Sequence, residues 1–145
     1  MTTQTRQLVA VARKVLRLSN IEQPDAILCT TQWGCMQQSM RFLLDMLQTN
    51  EQELKPTPFI QSTHNTIASM IAIQTHNHGY NVTYAQNDTD VNAALTDIQC
   101  QMALGRIQNA LVLEFDEHVS EWDEVLKNIN QQTYNIAKAT IYSCV

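Results

Sequence analysis

Short strand-like segments alternate with longer helix-like segments along almost the whole chain, and this alternation constrains the fold more than any single motif. Residues 25–31, 80–86, 109–115 and 138–145 have strand character, and residues 57–61 are also predicted to be extended. Between them, apolar residues recur every three or four positions over residues 5–20, 35–50, 64–76, 88–105 and 120–132, a spacing typical of helices. Strands separated by such helices predict an α/β layered sandwich with a mostly parallel central sheet and helices on both faces.

Three local signals refine this prediction. Gly105 follows the helix of residues 88–105, where a left-handed residue commonly ends a helix. Ser120 is predicted to cap the helix of residues 120–132. The continuous apolar run of residues 109–115 predicts a strand that is buried on both faces of the sheet.

Size and composition exclude several classes of protein. The 145 residues are enough for one domain, predicted to span residues 1–145, and no apolar run approaches the length of a membrane span. A net charge of -5 argues against general nucleic-acid binding. The four cysteines, Cys29, Cys35, Cys100 and Cys144, form no CxxC pair, so we expect free thiols, a cytoplasmic protein, no metal site and no cofactor.

The positive charge is concentrated at the start of the chain. Residues 1–20 contain no acid and four basic residues, Arg6, Arg13, Lys14 and Arg17. Because the net charge of the chain is -5, the other residues together have a net charge of -9. The cluster of Arg13, Lys14 and Arg17 is either a solvated helix face or a contact for an acidic partner.

Three long segments resemble the amino-terminal half of β-ketoacyl synthases. They are PDAILCTTQWGCMQQSMRFL from residue 24, PTPFIQSTHNTIASMIAIQTHNHGYNVTY from residue 56, and ALTDIQCQMALGRIQNALVLEFDE from residue 94. The resemblance covers residues 22–118 and is strongest to the chain-length-factor-like members of the family. It implies half of a thiolase fold, and a role in fatty-acid or polyketide-type synthesis on acyl carrier protein.

The resemblance also implies that the catalytic nucleophile has been lost. The family's cysteine lies at the start of a buried helix, and the matching position here is Asp88. Cys100 follows twelve residues later, about 18 Å along a helix at about 1.5 Å per residue, so it cannot take the same place. Asp88 is predicted to cap the helix, with a general-base role as the alternative.

Other departures concern glycines and the acidic pair. Where the family has glycines in the first strand-to-helix turn, this chain has Thr30, Thr31 and Gln32 and keeps only Gly34. A second glycine pair is replaced by Leu113 and Glu114. The acidic pair Asp116 and Glu117 is retained, and in the family it braces the structure.

The second half of the family's fold would pack on the central helix. Without it, we expect the face formed by Val91, Leu95, Ile98 and Met102 to be uncovered and to serve as an interface. The predicted partner is a second copy of the chain or a full-length ketoacyl synthase, and the predicted carrier-protein contact is Arg13, Lys14 and Arg17.

Three functions remain open from the sequence. The first, which we favour, is a catalytically inactive scaffold or partner subunit in acyl-chain synthesis. The second is a thiol-dependent acyl-transfer enzyme that uses Cys29 or Cys35 with His64 as base, which requires the thiol and the imidazole to be within hydrogen-bond reach. The third is a binding protein for an acyl or other apolar ligand, which requires a cavity at the substrate channel.

Overall fold

A four-stranded sheet forms the centre of the molecule. The computed structural model describes residues 2–50, 52 and 54–144. The strands are β1 (Ala26–Thr31), β2 (Tyr80–Ala85), β3 (Asn109–Asp116) and β4 (Ile136–Ser143), in the order β2-β1-β3-β4. β1 is parallel to both β2 and β3, and β4 is antiparallel to β3. The prediction of a mostly parallel sheet is confirmed.

In the part of the chain that the structure describes, six helices surround the sheet. They are α1 (Thr3–Leu18), α2 (Met36–Thr49), α3 (Pro56–Ser62), α4 (Thr66–Gln74), α5 (Asn92–Ala103) and α6 (Asp123–Asn128), and a 3₁₀ turn (Ser120–Trp122) precedes α6. Of these, α2, α3 and α4 lie between β1 and β2, and α5 lies between β2 and β3.

The helices cover both faces of the sheet, as predicted. On one face, α1 and α4 bury an apolar cluster against β1 and β3; it includes Leu8, Ala12, Ile67, Ile71, Ile27, Leu111 and Leu113. On the other face, α5 packs Ala94 and Ile98 against Ala26, Leu28, Ala110 and Val112. Most residues of β3 are buried, which agrees with the prediction of a strand covered on both faces.

Three local predictions are wrong. Residues 57–61 are helical rather than extended, because Pro56 occupies the first position of α3, where its missing N–H costs nothing. Ser120 does not cap a helix; it begins the 3₁₀ turn, and its hydroxyl bonds Glu121. The helix predicted to begin at Asp88 begins at Asn92.

The end of α5 follows the prediction closely. Gly105 has φ +66°, the left-handed conformation that suits glycine. Its N–H donates to the Met102 carbonyl, and the Arg106 N–H donates to the Gln101 carbonyl. This pair of bonds is a Schellman motif, which satisfies the last carbonyl groups of the helix.

Candidate functional site

The carboxyl ends of the parallel strands bring three loops to one edge of the sheet. They are the turn after β1 (residues 32–35), the elbow after β2 (residues 86–91) and the segment that begins with Asp116, the last residue of β3, and Glu117. In open α/β sheets this edge is where ligands usually bind. It also holds the position matched to the family's nucleophile, so it is the candidate functional site.

Asp116 fills the turn after β1. Its carboxylate accepts hydrogen bonds from the Thr31 hydroxyl at 2.7 Å and from three consecutive backbone N–H groups, those of Gln32, Trp33 and Gly34, with its Oδ1 at 3.1, 2.7 and 3.1 Å. Successive N–H groups that converge in this way form an anion-binding concavity. Here the chain's own carboxylate occupies it, which agrees with a bracing role.

Glu117 ties the start of two helices to the sheet. It is fully buried, and its carboxylate accepts hydrogen bonds from the Thr2 hydroxyl and, at 2.9 Å, from the Gln37 N–H in the first turn of α2. Burial raises the pKa of Glu117 above its ordinary value, although these hydrogen bonds act in the opposite direction. Both acids of the pair therefore hold the local structure together.

Asp88 lies in the elbow and is exposed. It does not cap α5, which begins four residues later with no side-chain cap, so the capping prediction is wrong. Its Oδ1 instead accepts the Asp90 N–H at 3.0 Å, and Asp90 accepts the Asn92 N–H at 3.1 Å. Each carboxylate thus closes a turn within the elbow by accepting the N–H two residues on, and the helix begins only after the second turn.

Side chains occupy the positions where the family's glycines would leave space. The Thr30 hydroxyl donates to the Thr89 carbonyl of the elbow at 3.2 Å, and the Gly34 N–H donates to the Thr31 hydroxyl at 2.7 Å. Leu113 is fully buried, and Glu114 pairs with Lys138 at 3.0 Å. The end of β1 is thus bonded both to the elbow and to the turn that follows it.

The two thiols proposed as alternative nucleophiles are in unfavourable surroundings. Cys29 and Cys35 are buried. Burial, with a smaller contribution from the negative charge of Glu117, raises the pKa of Cys35 to about 12. Burial also raises the pKa of Cys29. His64 lies against Gly34, where an added Cβ would be 3.1 Å from its ring, but no hydrogen bond joins it to Cys29 or Cys35 in the part of the chain that is described. The condition for a Cys-His pair is not met.

The predicted interface face is largely covered by the chain itself. Ile98 is 2% exposed and packs on the sheet, and Val91 and Met102 are partly buried against the same cluster. Leu95 is half-buried. The expectation that this face has no cover within one chain is therefore wrong for Ile98, because α5 turns it toward β1 and β3.

The cationic cluster lies at the opposite edge of the sheet. α1 begins beside Glu117, through the Thr2 hydrogen bond, and its last residues lead into the amino end of β1. Arg13, Lys14 and Arg17 are all exposed. Because they are near the end of α1, they are separated from the elbow by the length of β1, about 20 Å at about 3.3 Å per residue.

An apolar groove beside the turn was not predicted. It has a volume of about 280 Å³ between α2 and α6, and its lining is Trp33, Met36, Ser39, Met40, Leu43, Trp122, Val125, Leu126 and Ile129. The spacing of Met36, Met40 and Leu43 indicates one face of α2, but only the structure shows that α6 faces it. The groove is separate from the elbow, so it is not the substrate channel required by the third hypothesis.

Two further features concern the surroundings of the site. Tyr80 and Tyr84 of β2 donate hydrogen bonds to the Asp97 carboxylate of α5 at 2.9 and 3.0 Å, and burial raises the pKa of both tyrosines. The alternation of Tyr80, Val82 and Tyr84 in the sequence indicates that the two tyrosines share one face of β2.

Among the described residues, none of the helices has the length and apolar character of a membrane span.

Comparison with known families agrees with the geometry. The profile of the β-ketoacyl synthase amino-terminal domain matches residues 1–142, so the chain belongs to the β-ketoacyl synthase family. The fold is that of a thiolase-like half.

Two solved structures illustrate the similarity. A chain of the complex between the ketosynthase ApeO and its chain length factor ApeC from Xenorhabdus doucetiae is 18% identical, with a TM-score of 0.79; the match covers 100% of this chain and 58% of that one. A chain of the ishigamide ketosynthase/chain length factor is also 18% identical, with a TM-score of 0.70, and the match covers 88% of this chain and 38% of that one. No match was found among curated proteins.

Proposed function

We propose that the protein is a chain-length-factor-like partner subunit that pairs with a ketosynthase in fatty-acid or polyketide-type acyl-chain synthesis and supplies no nucleophile of its own. Membership of the β-ketoacyl synthase family supports the pathway class. The ketosynthase and chain length factor complexes among the similar structures support the kind of partner.

The chemistry at the carboxyl edge supports the absence of catalysis. The elbow presents an exposed aspartate where a nucleophile would be needed, and the two nearby thiols are buried with raised pKa values. A thiol with such a pKa carries almost no thiolate near neutral pH, and the thiolate is the reactive form. The Thr30 side chain bonds the elbow and the Thr31 side chain bonds the turn, at positions where the family's glycines would leave space.

The observation that carries the pairing proposal is the free edge of β2. Within the described residues, β2 has a strand neighbour on one side only. Its sequence, YNVTYA, has none of the charges or prolines that natural edge strands use to prevent pairing. An unprotected edge of six residues is a template for a strand of another chain.

The direction of the backbone groups follows from one hydrogen bond. The Gln86 N–H donates to the Thr31 carbonyl, so even-numbered residues of β2 point their backbone groups toward β1. Because alternate residues point to opposite sides, Asn81, Thr83 and Ala85 direct their N–H and C=O groups outward. These are the groups that a partner strand would bond.

The test is co-purification with a ketosynthase of the same organism, followed by the mass of the complex from light scattering. Asn81→Pro removes one outward N–H without breaking the ladder with β1, and we expect it to weaken pairing by at least about tenfold. Ser143→Pro is the matched control, because Ser143 is exposed on the opposite edge strand and the Cys144 N–H bond to Gln108 shows that the Ser143 N–H also points outward. Circular dichroism checks that both variants fold.

The outcomes separate the possible partners. A 1:1 complex that is lost in Asn81→Pro and kept in Ser143→Pro supports the proposal. A homodimer that is lost in Asn81→Pro and kept in Ser143→Pro would show that the partner is a second copy of the chain and not a ketosynthase. A complex that forms in both proline variants would exclude β2 as the interface.

Two finer parts of the proposal concern the carrier protein and the compartment. The acyl carrier protein remains a proposed second partner, and the exposed cations Arg13, Lys14 and Arg17 support electrostatic contact with an acidic surface. Their position at the far edge of the sheet means that such contact would not deliver a substrate to the elbow. The four free cysteines support a reducing compartment, so we propose a cytoplasmic location.

A further inference from the structure

A cavity of about 490 Å³ lies between the ends of α1 and α4, at the edge of the sheet opposite the elbow. The last turns of α1, the segment of residues 20–23 and residues 74–76 form its walls. Neither the proposed pairing through β2 nor the carboxyl-edge loops involve these residues. Arg13 and Arg17 belong to the proposed contact surface for a carrier protein, but that contact does not explain a cavity beside them.

Two guanidinium groups form one wall. Arg13 and Arg17 are one helical turn apart, so they project on the same side of α1, and both line the cavity. Lys14 is exposed but does not line it. Among the described residues, neither arginine is in an ion pair. Like charges at this spacing repel each other, and an anion held between them would remove that repulsion.

The opposite wall offers hydrogen-bond donors. His76, Gln74 and Gln23 line the cavity, and their side chains make no hydrogen bond within the described residues. Glu22 also lines the cavity, so the whole lining carries two guanidinium groups against one carboxylate. The cavity therefore keeps a net positive charge and several uncommitted donors.

We infer that this cavity binds the phosphate group of a small molecule or of a phosphodiester arm, with Arg13 and Arg17 as the anion-binding residues. Guanidinium groups bind oxyanions in a bidentate manner. One guanidinium satisfies the two oxygens of a carboxylate, whereas a tetrahedral phosphate presents enough oxygens for two. The volume exceeds that of a phosphate ion, which leaves room for the organic group attached to it.

The first experiment titrates the full chain with inorganic phosphate at about 0.15 M salt, where long-range charge effects are largely screened. Chemical shifts of labelled arginine side chains and of the His76 ring report the position of binding. We expect saturable shifts at Arg13, Arg17 and His76. The absence of saturation, or shifts confined to other residues, would overturn the inference.

Matched variants separate a built site from general positive charge. Arg13→Gln and Arg17→Gln should each weaken phosphate binding by at least about tenfold, because each removes a charge-assisted hydrogen bond. Lys14→Gln makes the same change of charge on the neighbouring residue and should weaken binding by less than about twofold. Equal losses in all three variants would show diffuse attraction to α1 and would contradict a site.

Two model ligands identify the source of the phosphate. Methyl phosphate represents a phosphomonoester, and dimethyl phosphate represents the phosphodiester of an arm attached to a carrier. Binding of the monoester alone would indicate a free metabolite, and binding of the diester would indicate a carrier arm. If neither binds, the cavity has no phosphate site.

Discussion

Two aspartates at the same edge of the sheet have opposite surroundings. Asp116 is 3% exposed and accepts bonds from one hydroxyl and three backbone N–H groups. Asp88 is exposed and accepts one backbone N–H. The number of donors around each carboxylate decides how much it contributes to stability.

Replacing these carboxylates should therefore have unequal effects. Asp116→Asn keeps the shape of the side chain but removes the negative charge that strengthens the four hydrogen bonds to it. We expect the free energy of unfolding to fall by about 2–3 kcal/mol. Asp88→Asn should change it by less than about 0.5 kcal/mol. Urea denaturation followed by circular dichroism measures both values, and similar losses in the two variants would contradict the arrangement of the turn.

The reactivity of the cysteines tests the proposal that the chain supplies no nucleophile. Cys100 and Cys144 are exposed, whereas Cys29 and Cys35 are buried. At pH 7.5 we expect the exposed pair to react with a disulfide reagent and the buried pair to react only after unfolding. Since the pKa of Cys35 is raised to about 12, its thiolate fraction should increase only as the pH approaches that value.

Single Cys→Ser variants assign each reacting thiol. Reaction of Cys35 in the folded protein at a rate equal to that of Cys100 would revive the thiol-enzyme hypothesis.

Among the helices, α5 shows most clearly what the residue pattern leaves open. Its apolar spacing was recognised, and Gly105 marked its end correctly, because both depend on local backbone geometry. Its start was misplaced because Asp88 and Asp90 accept backbone N–H groups within the elbow, and the helix begins only at Asn92 with no side-chain cap. Which side of α5 meets the sheet depends on the closed fold, and the sequence does not contain that information locally.

Packing of α5 on the sheet has a measurable consequence. Ile98→Ala should reduce the free energy of unfolding by about 2–4 kcal/mol, since it opens a cavity against β1 and β3. Gln99→Ala, on the exposed side of the same turn, should change it by less than about 0.5 kcal/mol. If Ile98→Ala costs no more than the control, α5 does not rest on the chain's own sheet in solution, and the face would again be available to a partner.

α3 illustrates a different limit of sequence-based prediction. Pro58 and two β-branched residues, Thr57 and Ile60, made residues 57–61 look extended, yet prolines are well tolerated in a first helical turn. The Phe59 ring contacts the Phe42 ring of α2, with centroids 5.4 Å apart. Contacts of this kind override weak local preferences, and they cannot be read from one segment alone.

At the scale of the whole molecule, the alternation of segments predicted the layers and the mostly parallel sheet, and the resemblance of three long segments predicted the family. It did not predict the strand order or the antiparallel direction of β4, because pairing partners are far apart in the chain. Asp88, Asp116 and Glu117 were singled out from the sequence, but that they lie at one edge of the sheet is seen only in the structure. The cavity bounded by Arg13, Arg17 and His76 joins residues about sixty positions apart and required the structure.

The free edge of β2 also has a consequence for the amount of protein that a cell can maintain. If the edge is covered by a partner strand, copies made in excess of the partner keep it exposed, and exposed edges associate with one another. Such copies are lost to aggregation or proteolysis, whereas paired copies are retained. The abundance of this chain would then follow that of its partner, and balanced synthesis of the two proteins would be needed.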